Sequence, residues 1–548
     1  MNFKNLPETW KVVRLGRVAE IVLGKTPHRK NKEYWDNGVI PWVKIQDMTN
    51  KVIYDTSEKI SKKAFKEVFH NNLIPKGTLI MSFKLTIGRT AFLGVDAVHN
   101  EAIVSIFPNP DLIDKNYLFY LLPSLNYSEL TGGAAKGETL NKEKIQNLLI
   151  PLPPLPEQKR IVEILSLAEE LIRKQKEAIS LIDKILMAKF LEMFGDPATN
   201  PKGWEVEKFE DIVDIFDSQR VPVNSKEREK RKAKAKKLYP YYGANGQVDW
   251  INDHIFDGEY LLIAEDGGFW GAFERTSYRV SGKFWVNNHA HIVRGKEGIA
   301  LNEYLELVIN ILDVTKFMSG TTRGKLTQSD MKRILIPLPP IELQKQFAQI
   351  VEEFEKKREE MQKTLETLES LFKFLQKKAF TGELTAEWRE QNKIDWELPR
   401  ITERQAVLLA TLYYYQNIIR KPAMVTVAMK SAFLLQQEAG LNLDYNFIPY
   451  KYGPFSKEVY EDIEELERNF LVERMKPKKD IEMTEIRLID EFKDWTERII
   501  DNLPQKIKDA IKTYVEKYGK MELNELLDYV YAKYPEYAVK SKRKRGRR

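Results

Sequence analysis

The sequence predicts an α/β (α+β) chain: two tandem mixed α/β modules separated by two long antiparallel coiled-coil helices, then a mainly α C-terminal domain with winged-helix-like order. Three observations carry this. One phrase occurs twice, IPLPPLPEQKRIVEIL from Ile150 to Leu165 and IPLPPIELQKQFAQIV from Ile336 to Val351, at an offset of 186 residues (336 − 150). Each copy opens a stretch with a 3.5-residue apolar period, the period of a coiled coil. Each is preceded by short apolar or alternating runs bounded by Gly, Pro and Asn, which read as strands.

Residues 1–150 form the first module, with IPWVKI, GTLIMSF, TAFLGV and AIVSIF as its strands. Residues 151–197 give the first helix and residues 198–336 the second module, with YLLIAED, FWGAFE and HAHIVRG. The second helix covers 337–384, where Phe347, Val351, Phe354, Met361, Leu365, Leu368, Phe372 and Leu375 alternate spacings of 3 and 4. Gln175 in one helix and Arg358 in the other interrupt different layers and would fix register. Trp10 and Trp204 open the two modules at an offset of 194, so the first is longer by eight (194 − 186) between these marks. Equal frames with unequal interiors imply two heads that read different things.

A linker at 385–400 leads to residues 401–548. There a helix from near Ile401, a second over Val425 to Ala439 that stops at Gly440, a third from about Ser456 and a strand-like LVER give the winged-helix order. The apolar residues of ITERQAVLLATLYYYQNII fall at helical spacing, so its three tyrosines read as core rather than as a base-stacking platform.

The 548 residues contain no cysteine, which excludes a disulfide framework, thiolate zinc and cysteine catalysis. No apolar run approaches a membrane span and the start has no signal-peptide core, so a cytoplasmic protein without a membrane partner is expected. The 87 Lys+Arg against 80 Asp+Glu are unevenly spread. KEREKRKAKAKK, Lys226 to Lys237, holds eight cations and two Glu, and the last nine residues, KSKRKRGRR, hold seven more. The internal block runs into YPYYGANGQ, as tracking a phosphate backbone would require. The tail reads equally well as a solvated extension.

Catalytic motifs are missing. Neither an FxGxG cofactor loop nor NPPY or DPPF occurs. GAAKGET (Gly133 to Thr139) places Glu138 where a phosphate loop needs Lys, and reads as a turn. His289 and His291 alternate like strand residues; they lack a third metal ligand, so DNA contact or ordinary packing is expected and no metal.

The motifs together resemble the specificity subunits of type I restriction–modification systems. The first module carries GKTP (Gly24 to Pro27), EYW (Glu33 to Trp35), IPWV (Ile40 to Val43), Asp47, PKGTLIMSF and IGRTA (Ile87 to Ala91). The second carries PYYGANG, IFDGEYLLIAEDG and VNNHAHIV; both end in the proline bracket, and KKAFTGELT closes the second helix. LEMFGDP and HNEAI depart from the usual pattern. The resemblance covers roughly residues 1–390. It implies that the modules are target-recognition domains, each reading half of a bipartite site in double-stranded DNA, with the helices as ruler. Four heptads rise about 42 Å, roughly a dozen base pairs of B-DNA. The implied partners are two methyltransferase subunits and two restriction/translocase subunits. S-adenosylmethionine, ATP and Mg2+ would belong to those partners, with no cofactor and no catalytic residue in this chain.

The candidate DNA-binding residues follow from that resemblance and from side-chain chemistry, since Arg reads guanine and Asn or Gln adenine. They are Lys25, Thr26, His28, Arg29, Lys30, Lys84 and Arg89 in the first module. In the second they are Arg220, Lys226, Arg228, Lys230, Arg231, Lys232, Asn245, Gln247, His289 and His291. Residues 401–548 depart from the family plan. Their phrase YKYGPFSKEVYEDIEEL resembles the antitoxin-like Panacea domain, and an extra partner for this domain is expected. The alternatives are the DNA-reading subunit of a related defence system with a different effector, and a self-contained nuclease or methyltransferase.

Overall fold

Each proline bracket is a short strand that turns directly into a long helix, and one buried glutamine explains its repetition. A computed structural model describes residues 5–127, 140–318, 324–475 and 484–541. The strands Leu149–Leu152 and Leu335–Leu338 pair antiparallel with those opening each head, Lys11–Arg14 and Glu205–Lys208. Helices Leu155–Phe194 and Ile341–Ala379 follow, 40 and 39 residues long. In their first turns lie Gln158 and Gln344, both fully buried. Gln158 accepts from the Asp114 amide (2.8 Å) and donates to the carbonyls of Leu112 (2.8 Å) and Pro153 (2.7 Å). Gln344 repeats this with Leu301 (3.0 Å), Ile299 (3.1 Å) and Pro339 (2.9 Å). Tyr117 and Tyr304 then donate to the carbonyls of Pro151 and Pro337. Gln158→Ala or Gln344→Ala strands three backbone groups and is expected to cost about 2–3 kcal/mol, read as a lower denaturant midpoint.

Contacts divide the chain into two compact units, residues 1–164 with 375–548, and residues 165–374. In the second unit the long helices pair. Lys176 meets Glu369 and Asp183 meets Arg358, so partners descend as numbers rise and the pair is antiparallel. Both polar interruptions act between helices: Gln175 Nε2 donates to the Met361 carbonyl (2.8 Å), and Arg358 is ion-paired to Asp183. Phe190, Phe194 and Phe347 from the helices and Tyr304 from the head form one aromatic cluster with centroids 4.9–5.6 Å apart. The head has two four-stranded sheets. One orders Val213–Ile215, Ala290–Gly295, Tyr260–Ala264 and Ser277–Val280; the other Gly246–Ile251, Tyr239–Gly243, Lys283–Val286 and Phe256–Asp257.

The first unit holds the first head, with a five-stranded sheet ordered Ala19–Leu23, Ile103–Pro108, Leu79–Ser82, Thr90–Leu93 and Val52–Ile53. A second sheet orders Lys59–Ile60, Ile40–Val43 and Val98–His99. Residues 380–396 return to the start of the chain. Buried Glu157 accepts from Trp10 Nε1 (2.9 Å), Thr385 Oγ1 (2.5 Å) and Arg389 Nε (3.0 Å), while Trp396 Nε1 donates to the Thr9 carbonyl (2.8 Å). At Gly382 (φ +79°) a Cβ would sit 2.4 Å from Pro7, so glycine is required.

The C-terminal domain follows the order expected for a winged helix. Helices Glu403–Ile419, Val425–Gln437 and Lys457–Arg468 come with a sheet ordered Ala423–Met424, Glu485–Leu488, Val472–Arg474. Buried Asp462 ties it together, accepting from Arg404, Gln405 and Tyr445. Tyr413, Tyr414 and Tyr415 are half-buried rather than core; Tyr413 donates to Glu497 and Lys512 lies over Tyr414. Within this unit the domain is ion-paired to the first head through Lys11–Asp494, Arg14–Glu491 (2.7 Å) and Arg17–Glu473 (2.5 Å). Burial pulls the Lys11 ammonium below the ordinary lysine value, against the opposing pull of Asp494. The GAAKGET turn, and the basic tail beyond Ser541, lie outside the described residues.

Candidate nucleic-acid interface

Four segments meet at one end of the second head. Asn245, in the turn between Tyr239–Gly243 and Gly246–Ile251, donates through Nδ2 to the Gly267 carbonyl (2.9 Å). His289 Nδ1 is paired with Asp266, and Lys325 bridges by backbone to Asp266 and by its ammonium to Glu265 (3.0 Å). The Glu265 amide donates to the His289 carbonyl (2.9 Å). Asn245, Gln247 and His289 are exposed there, a mix of donors and acceptors able to address base edges.

A buried layer supports them. Asp217 accepts from His291 Nδ1 (2.6 Å), the Ile292 amide (2.9 Å) and Gln328 Nε2 (2.9 Å), while His291 Nε2 faces the Leu326 carbonyl (2.8 Å). Arg220 links Glu265 (2.5 Å), the Ala290 carbonyl (2.9 Å) and Asp217 (3.5 Å). Burial works to raise both carboxyls. At Asp217 the bonds from His291, the Ile292 amide and Gln328 prevail; at Glu265 those from Arg220 and Lys325 do. Both therefore lie below their ordinary values.

For His291 this is the packing alternative, and for Arg220 it corrects the expectation of DNA contact. His291 is fully buried with both ring nitrogens engaged, and Arg220 is spent on internal acceptors, so each is a strut beneath the exposed end of the head. Arg228 is corrected likewise: it bonds Asp249 (2.7 Å) and the Val223 carbonyl (2.6 Å) and lies over Tyr241. Its segment is a helix, Ser225–Ala233, capped by Asn224, where the sequence predicted only a basic approach to the turn. Lys232 is held by Asp249 and Glu229, and half-buried Arg231 by Glu227. Lys226 and Lys230 point into solvent and are the cations of this helix best placed for phosphate.

In the first head, Lys25 is exposed and donates through Nζ to the Val68 carbonyl (2.9 Å). Arg29 bonds Glu58 through two nitrogens (2.8 and 3.0 Å) and stacks on Trp35 and Trp42, 4.0 and 4.7 Å from their centroids. The Arg29 and Lys44 bonds bring the Glu58 carboxyl down to about 2, against burial. Arg29 thus stiffens the loop, while Thr26, His28 and Lys30 are exposed on it. Lys84 is half-buried over Phe83, and Arg89 is exposed.

Strand registers match the two heads residue by residue. Ser82 pairs with Ile103 as Ala264 does with Ala290, and Val43 with His99 as Tyr242 does with Val286. Counting on from these pairs, exposed Gln46 occupies the place of Asn245, Ala102 that of His289, Lys84 that of Asp266, and Leu85 that of Gly267. The sequence did not single out Gln46, Leu85, Asp266 or Lys325: the first three are placed by counting from the paired strands, and Lys325 by its bridge to Asp266. Among the described residues no group of three or more His, Cys, Asp or Glu could hold a metal ion, and no helix is long and apolar enough to cross a membrane.

The family described as type I restriction modification DNA specificity domain matches residues 7–181 and 201–370. Over 419 residues the chain is 26% identical to the type I restriction enzyme MjaIX specificity subunit of Methanocaldococcus jannaschii, covering 70% of this chain and 95% of that one. It is 24% identical over 358 residues to the EcoprrI specificity subunit of Escherichia coli, 62% and 86% covered. A solved S subunit of a type I system from M. genitalium is 14% identical, with TM-score 0.41, over 69% of this chain and 97% of that one. The two family matches fall on the two heads and span more than half of the sequence. The chain belongs to the specificity subunits of type I restriction–modification systems.

Proposed function

We propose that each head reads one half of a bipartite site in double-stranded DNA and that the chain directs methyltransferase and restriction subunits to it. The observation that carries this is one hydrogen-bonded frame, built twice, around different exposed residues: Gln46 and Leu85 in the first head, Asn245 and Gly267 in the second. As a specificity subunit the chain supplies recognition, and S-adenosylmethionine, ATP and Mg2+ act in its partners. The paired helices leave Leu167, Leu171, Leu181, Ile185, Leu371 and Phe374 between 47% and 63% exposed, apolar surface suited to methyltransferase subunits.

The test is a map of methylated motifs in cells making the neighbouring methyltransferase with and without this chain. A split motif present only with the chain supports the reading, and exchange of residues 200–336 should then change one half alone. Lys226→Ala with Lys230→Ala is expected to weaken binding equally across sequences and lower the salt slope by about 1.8. Titration of affinity against salt measures this.

A second reading, a defence system with a different effector regulated through the C-terminal domain, draws on that domain's charge. Helix Lys457–Arg468 sits where a winged helix presents its reading helix, yet carries Glu458, Glu461, Glu464, Glu465 and Glu467 outside its buried Asp462. Such a helix repels phosphate, which favours a protein partner for this domain.

A further inference from the structure

We propose that Leu85 is a specificity residue of the first head, reading the 5-methyl group of a thymine in the major groove; this rests on the half-site reading above. Leu85 is the most exposed large apolar side chain among the described residues, at 95%. Its φ is +61°, in the left-handed region that a branched side chain rarely adopts. The second head shows what this position requires of the backbone. Gly267, three residues beyond the paired Ala264 as Leu85 is beyond the paired Ser82, has φ +67°, and there glycine supplies the same conformation without strain.

The loop is built to hold this arrangement. Ser82 Oγ donates to the Thr86 carbonyl, and the Gly88 amide donates to the Ser82 carbonyl (2.9 Å). Gly88 (φ +83°) packs so closely on Tyr127 that a Cβ would lie 2.6 Å from its ring. A strained leucine on a braced loop, where glycine would serve the fold better, points to work outside the fold. Lys84 beside it and exposed Arg89 across the turn supply the charge that draws a phosphate backbone. The tip joins two strands, Leu79–Ser82 and Thr90–Leu93. The major groove is wide enough for such a tip, and the apolar group on its base edges is the thymine methyl.

The test uses the full chain with its methyltransferase, comparing wild type with Leu85→Gly, the residue of the second head. Leu85→Gly should melt no lower than wild type, so lost selectivity cannot be ascribed to unfolding. One base of one half-site should become degenerate, with selectivity there falling about tenfold and the other half-site unchanged. Deoxyuridine in place of thymine at that base should weaken wild type and leave Leu85→Gly unaffected. An unchanged motif in Leu85→Gly overturns the inference while sparing the half-site reading. Relaxed selectivity with no response to the missing methyl overturns the thymine assignment. A wild-type chain that directs no split motif overturns the half-site reading itself.

Discussion

Arg389→Ala is expected to destabilise the unit that contains the first head by about 3–5 kcal/mol, because it leaves the Glu157 carboxylate buried without its cation. Glu157 is fully buried, and after the substitution only Trp10 Nε1 and Thr385 Oγ1 would bond it. Residues 380–396 should then loosen from the start of the chain, seen as early proteolysis in this segment and a lower denaturant midpoint. The repeat supplies a control. Leu343 occupies the place of Glu157 in the second bracket (157 + 186). Glu157→Leu with Arg389→Leu removes the charges together and should cost less than Arg389→Ala alone. Equal losses would show that packing, rather than the uncompensated charge, sets the cost.

Asp217→Ala should be comparably severe in the second head, about 3–4 kcal/mol, since it strands His291, Gln328 and the Ile292 amide. Asp217→Asn keeps acceptor capacity through its carbonyl and should lose less. The pH dependence follows from the direction of the shift. The Asp217 carboxyl lies below its ordinary value of 3.8, so its contribution is complete above that pH and lost as pH falls through the folded value. Acid unfolding of the second head should therefore shift in Asp217→Asn, and in a methylated-motif map only the half-site read by this head should fade.

The heptads, both brackets and the helix over Val425 were legible because each rests on local period or a repeated phrase. Even the polar interruptions at Gln175 and Arg358 could be picked out as register devices. The state of individual cations was not legible. Arg220, Arg228 and Arg29 look like surface arginines until Glu265, Asp249 and Glu58, between 21 and 45 residues away, are folded against them. His291 was ambiguous for the same reason, its partner Asp217 lying 74 residues upstream. Leu85 was hidden in another way: its likeness to Gly267 emerges only by counting from the paired strand ends Ser82 and Ala264 and from the shared positive φ, because the loops that follow are unequal in length.

Lys11, Arg14 and Arg17, which pair with Asp494, Glu491 and Glu473 of the C-terminal domain, have a consequence for assembly. The same frame positions in the second head hold Glu205, Lys208 and Asp211, by the registers Lys11↔Leu152 and Glu205↔Leu338. Two of those three would repel Asp494 and Glu473. Matching positions of the two frames thus carry unlike charge, so the C-terminal domain is complementary to the frame of the first head and would be repelled by that of the second.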